Sequence, residues 1–126
     1  MNILARFICA AVTAMSSAAV LACGVCIDDK VAATYDHALV ATALARRQVV
    51  VYAEVKGAGE AGARTRTALT AAAKVRGIDA RTLRASREPA TISFALDEDV
   101  ANPAAALAAV QRHASGTRIE LLKVLR

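Results

Sequence analysis

Three observations in the sequence predict an α+β sandwich. From residue 48 to the C-terminus the apolar residues switch between the period of two that marks a strand and the longer period of a helix, in the order β-α-β-β-α-β. The breaks in period coincide with Gly57, Gly77, Pro89, Pro103 and Gly116, residues that punctuate elements rather than continue them. Alanine supplies much of a 56% hydrophobic content and aromatics only 3%, so the helices carry thin apolar faces suited to lying close on a sheet.

Residues 1–22 read as a signal sequence. Arg6 is its positive charge, the run 7–12 is apolar, and Val20 and Ala22 are small residues at the positions a signal peptidase seats. The apolar stretch 7–22 falls short of the roughly 20 residues a membrane span needs, and Ser16-Ser17 interrupts it. Cys9 then leaves with the leader. The same site has a second reading: Val20-Leu21-Ala22-Cys23 is similar to a bacterial lipobox, in which Cys23 is acylated. Lipidation of Cys23 turns an exported protein, periplasmic or secreted, into a membrane-anchored lipoprotein, and it consumes the thiol.

The remainder, 23–126, suits one domain. It divides into 23–47, a Cys-x-x-Cys with an N-terminal helix, and 48–126, the sandwich. Residues 27–47 read as a single helix, with Asp28 and Asp29 at its positive end and Arg46 and Arg47 at its negative end. Ile27, Val31, Tyr35 and Leu39 form its apolar stripe. In 48–56, Val49, Val51, Ala53 and Val55 alternate with Val50, Tyr52, Glu54 and Lys56, the pattern of a half-buried strand. A helix resumes over 60–76, with Ala61, Thr65, Ala68, Leu69, Ala72 and Val75 inward and Gly77 closing it. Residues 78–87 and 90–96 read as strands joined tightly at Glu88-Pro89, with Ile92, Phe94 and Leu96 facing a core. Asn102-Pro103 starts a helix, Asn as N-cap and Pro at its first position. Residues 117–125 close the sheet, with Ile119 and Leu121 inward.

That order is the split βαβ of the ferredoxin-like fold, in which two helices cover one face of a four-stranded antiparallel sheet. The extra N-terminal helix then packs on the open sheet face or along an edge. Val49-Val50-Val51-Tyr52-Ala53-Glu54-Val55-Lys56-Gly57, then Ala90-Thr91-Ile92-Ser93-Phe94, Pro103 and Leu107, resemble the framework of a heavy-metal-associated domain. Members of that family hold soft metals through a Cys-x-x-Cys after the first strand. Here the corresponding loop, 57–63, has no cysteine. The resemblance therefore implies a fold and carries no metal site to this loop.

Arg6 accounts for one of the five net positive charges, leaving +4 on 23–126. Arg64, Arg66, Arg76, Arg81, Arg84 and Arg87 read as a solvated basic face. Nucleic acid is not the expected partner, because export removes it and no aromatic residues interleave for base stacking. Attraction to an anionic lipid or envelope polymer fits the charge.

The chemistry on offer is Cys23-Gly24-Val25-Cys26. Two thiolates at that spacing chelate one soft ion, Cu(I) or Zn, and a following helix N-terminus favours the thiolate form. Asp29, one turn on, is within reach as a third ligand, although a carboxylate suits Cu(I) poorly. His37 on an unbroken helix lies about 16 Å along the axis from Cys26, too far to share an ion. Two cysteines make no disulfide framework, yet in an oxidising compartment they form a thiol/disulfide redox pair as an alternative to metal binding. No enzyme is expected. Ser86, Ser93 and Ser115 lack a Gly-x-Ser-x-Gly setting, and His37 and His113 lack a paired carboxylate. Asp97-Glu98-Asp99 reads as a solvated turn, and Gly57-Ala58-Gly59 lacks the rest of a phosphate-binding fingerprint. The sequence thus predicts an exported small binding protein that takes a soft metal through Cys23 and Cys26. A metal-free module that meets an envelope protein through its Arg-rich surface or an exposed sheet face is the alternative.

Overall fold

The computed structural model describes residues 26–126. The predicted signal sequence 1–22, and Cys23 with its alternative reading as an acylation site, lie outside the described residues. Eight elements follow one another: α1 (Ile27–Ala32), α2 (His37–Ala45), β1 (Val49–Gly57), α3 (Ala61–Ala72), β2 (Ile78–Arg87), β3 (Ala90–Leu96), α4 (Pro103–His113) and β4 (Thr117–Leu125). The strands form one antiparallel sheet in the order β2-β3-β1-β4. The α+β class is as predicted, and β1 to β4 and α4 fall where the periodicity put them; α3 ends at Ala72, four residues short of the predicted 60–76 helix, and residues 73–77 form turns.

The predicted 27–47 helix is two helices, and the reason is local. Asp36 adopts an extended backbone and its side chain accepts a hydrogen bond from Leu39 N at 3.0 Å, capping α2. Thr34 and Tyr35 form the turn between the helices. The expected stripe holds only in part: Val31 is buried and Leu39 packs against the same cluster, whereas Ile27 and Tyr35 are exposed and Val40 and Ala43 are buried in their place.

Both faces of the sheet are covered. Val49, Val51, Ala53 and Val55 of β1 and Ile92, Phe94 and Leu96 of β3 pack against Ala68 of α3 and Ala106 and Leu107 of α4. Between α3, α4 and the sheet, a second patch of Ala71, Ala72, Val75, Val110 and Ala114 lets the helices come close. On the opposite face, Val50, Tyr52 and Ala95 meet Val31 of α1 and Val40 and Ala43 of α2. The extra segment therefore lies on the open face. This corrects one expectation: β1 is buried on both sides rather than half-buried.

The two edge strands are irregular. On β4 the register against β1 shifts between Tyr52 and Ala53, where Leu122 is the extra residue. Residues beyond the shift exchange faces, so Val124 packs with the α3/α4 core, Leu122 and Leu125 pack under α1 and α2, and Leu121, expected inward, is exposed. On β2, residues 80–83 stand against Phe94 alone. Thr82 repairs the ladder there: its Oγ1 accepts from Ala95 N at 2.8 Å and donates to Asp79 O at 2.6 Å. Thr82→Val keeps the shape and removes both bonds. It leaves a buried N–H without an acceptor, so it is expected to cost about 1–3 kcal/mol in urea unfolding. A loss smaller than half a unit of that range would show that the ladder closes without the hydroxyl.

Candidate functional site

Cys26 is the N-cap of α1, with extended backbone and a side chain that caps nothing. It is exposed and has no disulfide partner among the described residues. Two ion pairs hold this end of the chain. Lys30, one turn into α1, places its Nζ 3.1 and 3.0 Å from the two carboxylate oxygens of Glu54 on β1. Both side chains are mostly shielded, so this pair anchors α1 more firmly than a surface bridge does. Asp28 lies 3.9 Å from Lys123 of β4 and is almost fully exposed. A chain of charge continues along the sheet from Glu54 to Lys56, Glu120 and Arg118. The hydrogen bond from Lys56 holds the Glu120 carboxyl below its ordinary pKa.

Asp29, the predicted third ligand, is exposed in the first turn of α1. Among the described residues no three His, Cys, Asp or Glu side chains converge as a cation cage. His37 opens α2, and its Nδ1 lies 3.3 Å from the Tyr35 hydroxyl, an exposed pair. Cys23, the other half of the predicted dithiol, is outside the described residues.

The loop in which the resembled family carries its cysteines has a different use here. Glu60 caps α3, accepting from Gly62 N at 2.8 Å and Ala63 N at 2.9 Å, and those bonds lower its pKa. The helix end that the Gly57-Ala58-Gly59 turn leads into is thus occupied by the chain's own carboxylate. Asp97 likewise closes its own turn, accepting from Asp99 N at 3.0 Å, and Glu98 pairs with Arg126.

The arginines do not make one face. Arg64 and Arg66 ride on α3, whereas Arg81 and Arg84 of β2 meet Arg46, at the end of α2, around a groove of about 290 Å³. Sequence reasoning missed this grouping, because the residues are far apart in the chain and the β2 bulge that gathers them leaves no periodic signal. No helix among the described residues is long and apolar enough to cross a membrane. No protein family, curated protein or solved structure matches the chain. Functional inference therefore rests on the geometry of these residues.

Proposed function

We propose that this is an exported, ferredoxin-like binding protein that carries a soft metal ion, Cu(I) in preference to Zn, between the sulfurs of Cys23 and Cys26. The strand order β2-β3-β1-β4 with α3 and α4 on one face supports the fold assignment. The observation that carries the metal reading is Cys26 itself: an exposed sulfur with no capping role, at the head of a helix tied to the sheet by Lys30 and Glu54. A thiol three residues earlier is close enough in the chain to share an ion with it. Two thiolates satisfy Cu(I), which accepts few, soft ligands. Zinc takes four, and a second chain would have to supply the rest. Asp29 stays in solvent in this reading and serves the first turn of α1.

Binding replaces two S–H protons with one ion, so uptake releases protons and strengthens as pH rises. The test is an anaerobic titration of the reduced, processed protein with Cu(I) against a competing chelator. One ion per chain, lost together with the proton release in a Cys23→Ser, Cys26→Ser double variant, is the expected result. Equal affinity in the double variant removes the proposal. Intact mass of the same sample separates the other fates of the pair: an acyl group on Cys23 or a Cys23–Cys26 disulfide each leaves no chelating dithiol.

A further inference from the structure

We propose that the groove between α2 and the bulge of β2 binds a phosphate-like oxyanion. The site lies at the β2 edge, whereas α1 and Cys26 lie toward β4 at the other, so the inference does not depend on the dithiol. Arg46 enters from the end of α2, and the extra residues of β2 bring Arg81 and Arg84 to the same opening, with Leu39 and Ala43 forming an apolar wall.

Three guanidinium groups and one carboxylate, Asp36, line the groove, and a second carboxylate, Asp79, is held by Arg81; both carboxylates are already engaged. Asp79 accepts from Arg81 Nε at 3.3 Å and from Arg81 N at 3.1 Å. The Arg81 bonds, with the charge of Arg46 adding to them, hold its carboxyl below the ordinary range. Asp36 gives Oδ1 to the α2 cap, and its Oδ2 is 3.7 Å from Arg84 Nη2, beyond a hydrogen bond. Arg84 spends Nη1 on the carbonyls of Leu83 and Arg81, at 3.0 and 3.4 Å. Arg46 has no ion pair among the described residues. Each guanidinium carries five N–H donors in a planar fork matched to phosphate oxygens, so those of Arg46 and the second nitrogen of Arg84 remain available. A groove of about 290 Å³ admits a phosphate with a small substituent and excludes a folded partner. The wall of Leu39 and Ala43 favours a substituent with apolar surface.

The experiment follows arginine Nε–H and Thr82 amide NMR signals during titration with inorganic phosphate and with phenyl phosphate, at constant ionic strength. Saturable shifts at Arg46, Arg81 and Arg84 are expected, larger in affinity for phenyl phosphate. Arg46→Gln, which breaks no ion pair or side-chain hydrogen bond among the described residues, should weaken binding roughly tenfold or more, the loss of one charge-assisted contact. Arg118→Gln, on the far edge, should leave it unchanged. Vesicles of phosphatidylglycerol against phosphatidylcholine then identify the source. Sedimentation with the anionic vesicles that Arg46→Gln abolishes assigns a lipid headgroup, and binding of the free phosphates alone assigns a soluble ligand. Chloride producing the same shifts at matched concentration, or Arg118→Gln weakening phosphate as much as Arg46→Gln, overturns the proposal.

Discussion

Phe94→Ala should destabilise the domain by about 3–5 kcal/mol, the cost of truncating a fully buried aromatic and leaving its cavity. Phe94 is wholly buried at the centre of the α3/α4 core, in register with Val51 of β1 and opposite the bulge of β2. What surrounds it makes the upper part of that range the expected one. Two of the helix residues in that core, Ala68 and Ala106, have only a methyl group and cannot swing into a void. The neighbouring strands hold β-branched residues with fixed rotamers. A domain of this size has a total stability of about 5–15 kcal/mol, so the variant stands near its unfolding threshold. Phe94→Leu keeps most of the volume and should cost less than about 1.5 kcal/mol. Urea unfolding with an unchanged slope is the measurement. A Phe94→Ala loss no larger than that of the leucine variant would mean that the core closes over the gap.

The same close packing explains which parts of the fold were legible in the sequence. Ile92, Phe94 and Leu96 alternate cleanly and are all buried, and Asn102-Pro103 starts α4 as its chemistry requires, with the Asn102 side chain accepting from Ala105 N at 2.8 Å. Gly77, at φ +99°, sits where a side chain would strain the turn after α3. The break after α1 was harder to see, because Ile27, Val31, Tyr35 and Leu39 keep helical spacing across it. Its signal was Asp36, a strong N-cap residue placed inside an apolar run. The burial of β1 on both faces was also present, in the unbroken Val49-Val50-Val51-Tyr52, which is how a doubly covered strand reads. Alternation of Glu54 and Lys56 farther along masked it.

The candidate sites divide along the same line. Cys26 was legible as a candidate because a Cys-x-x-Cys is a local pattern, and the structure adds the Lys30–Glu54 pair that fixes the helix behind it. Arg46, Arg81 and Arg84 come together only through tertiary structure. Nothing in the spacing of 81 and 84 on a strand announces that Thr82 will replace a ladder bond and turn both arginines toward α2.

Above pH 10 the protein should lose stability that a Tyr52→Phe variant keeps. Tyr52 is buried under α1 and α2, and burial, with smaller contributions from Tyr35 and the charge of Asp36, pushes its phenol from 10.0 up to about 12. The sign follows from which state holds the proton. Between those two values the unfolded chain has released it and the folded chain has not, so each step of rising pH favours unfolding. The loss begins near the unfolded value and is complete above the folded one, and it amounts to on the order of 2 kcal/mol. The difference from Tyr52→Phe, rather than the absolute curve, is the quantity to read. The variant removes the ionisable oxygen and keeps the ring between Val31, Val50 and Ala95. Parallel stability profiles for the two proteins from pH 9 to pH 12 would show that the hydroxyl stays in contact with water. The α1–α2 layer would then be open over Tyr52, and the sheet face beneath it available to a partner.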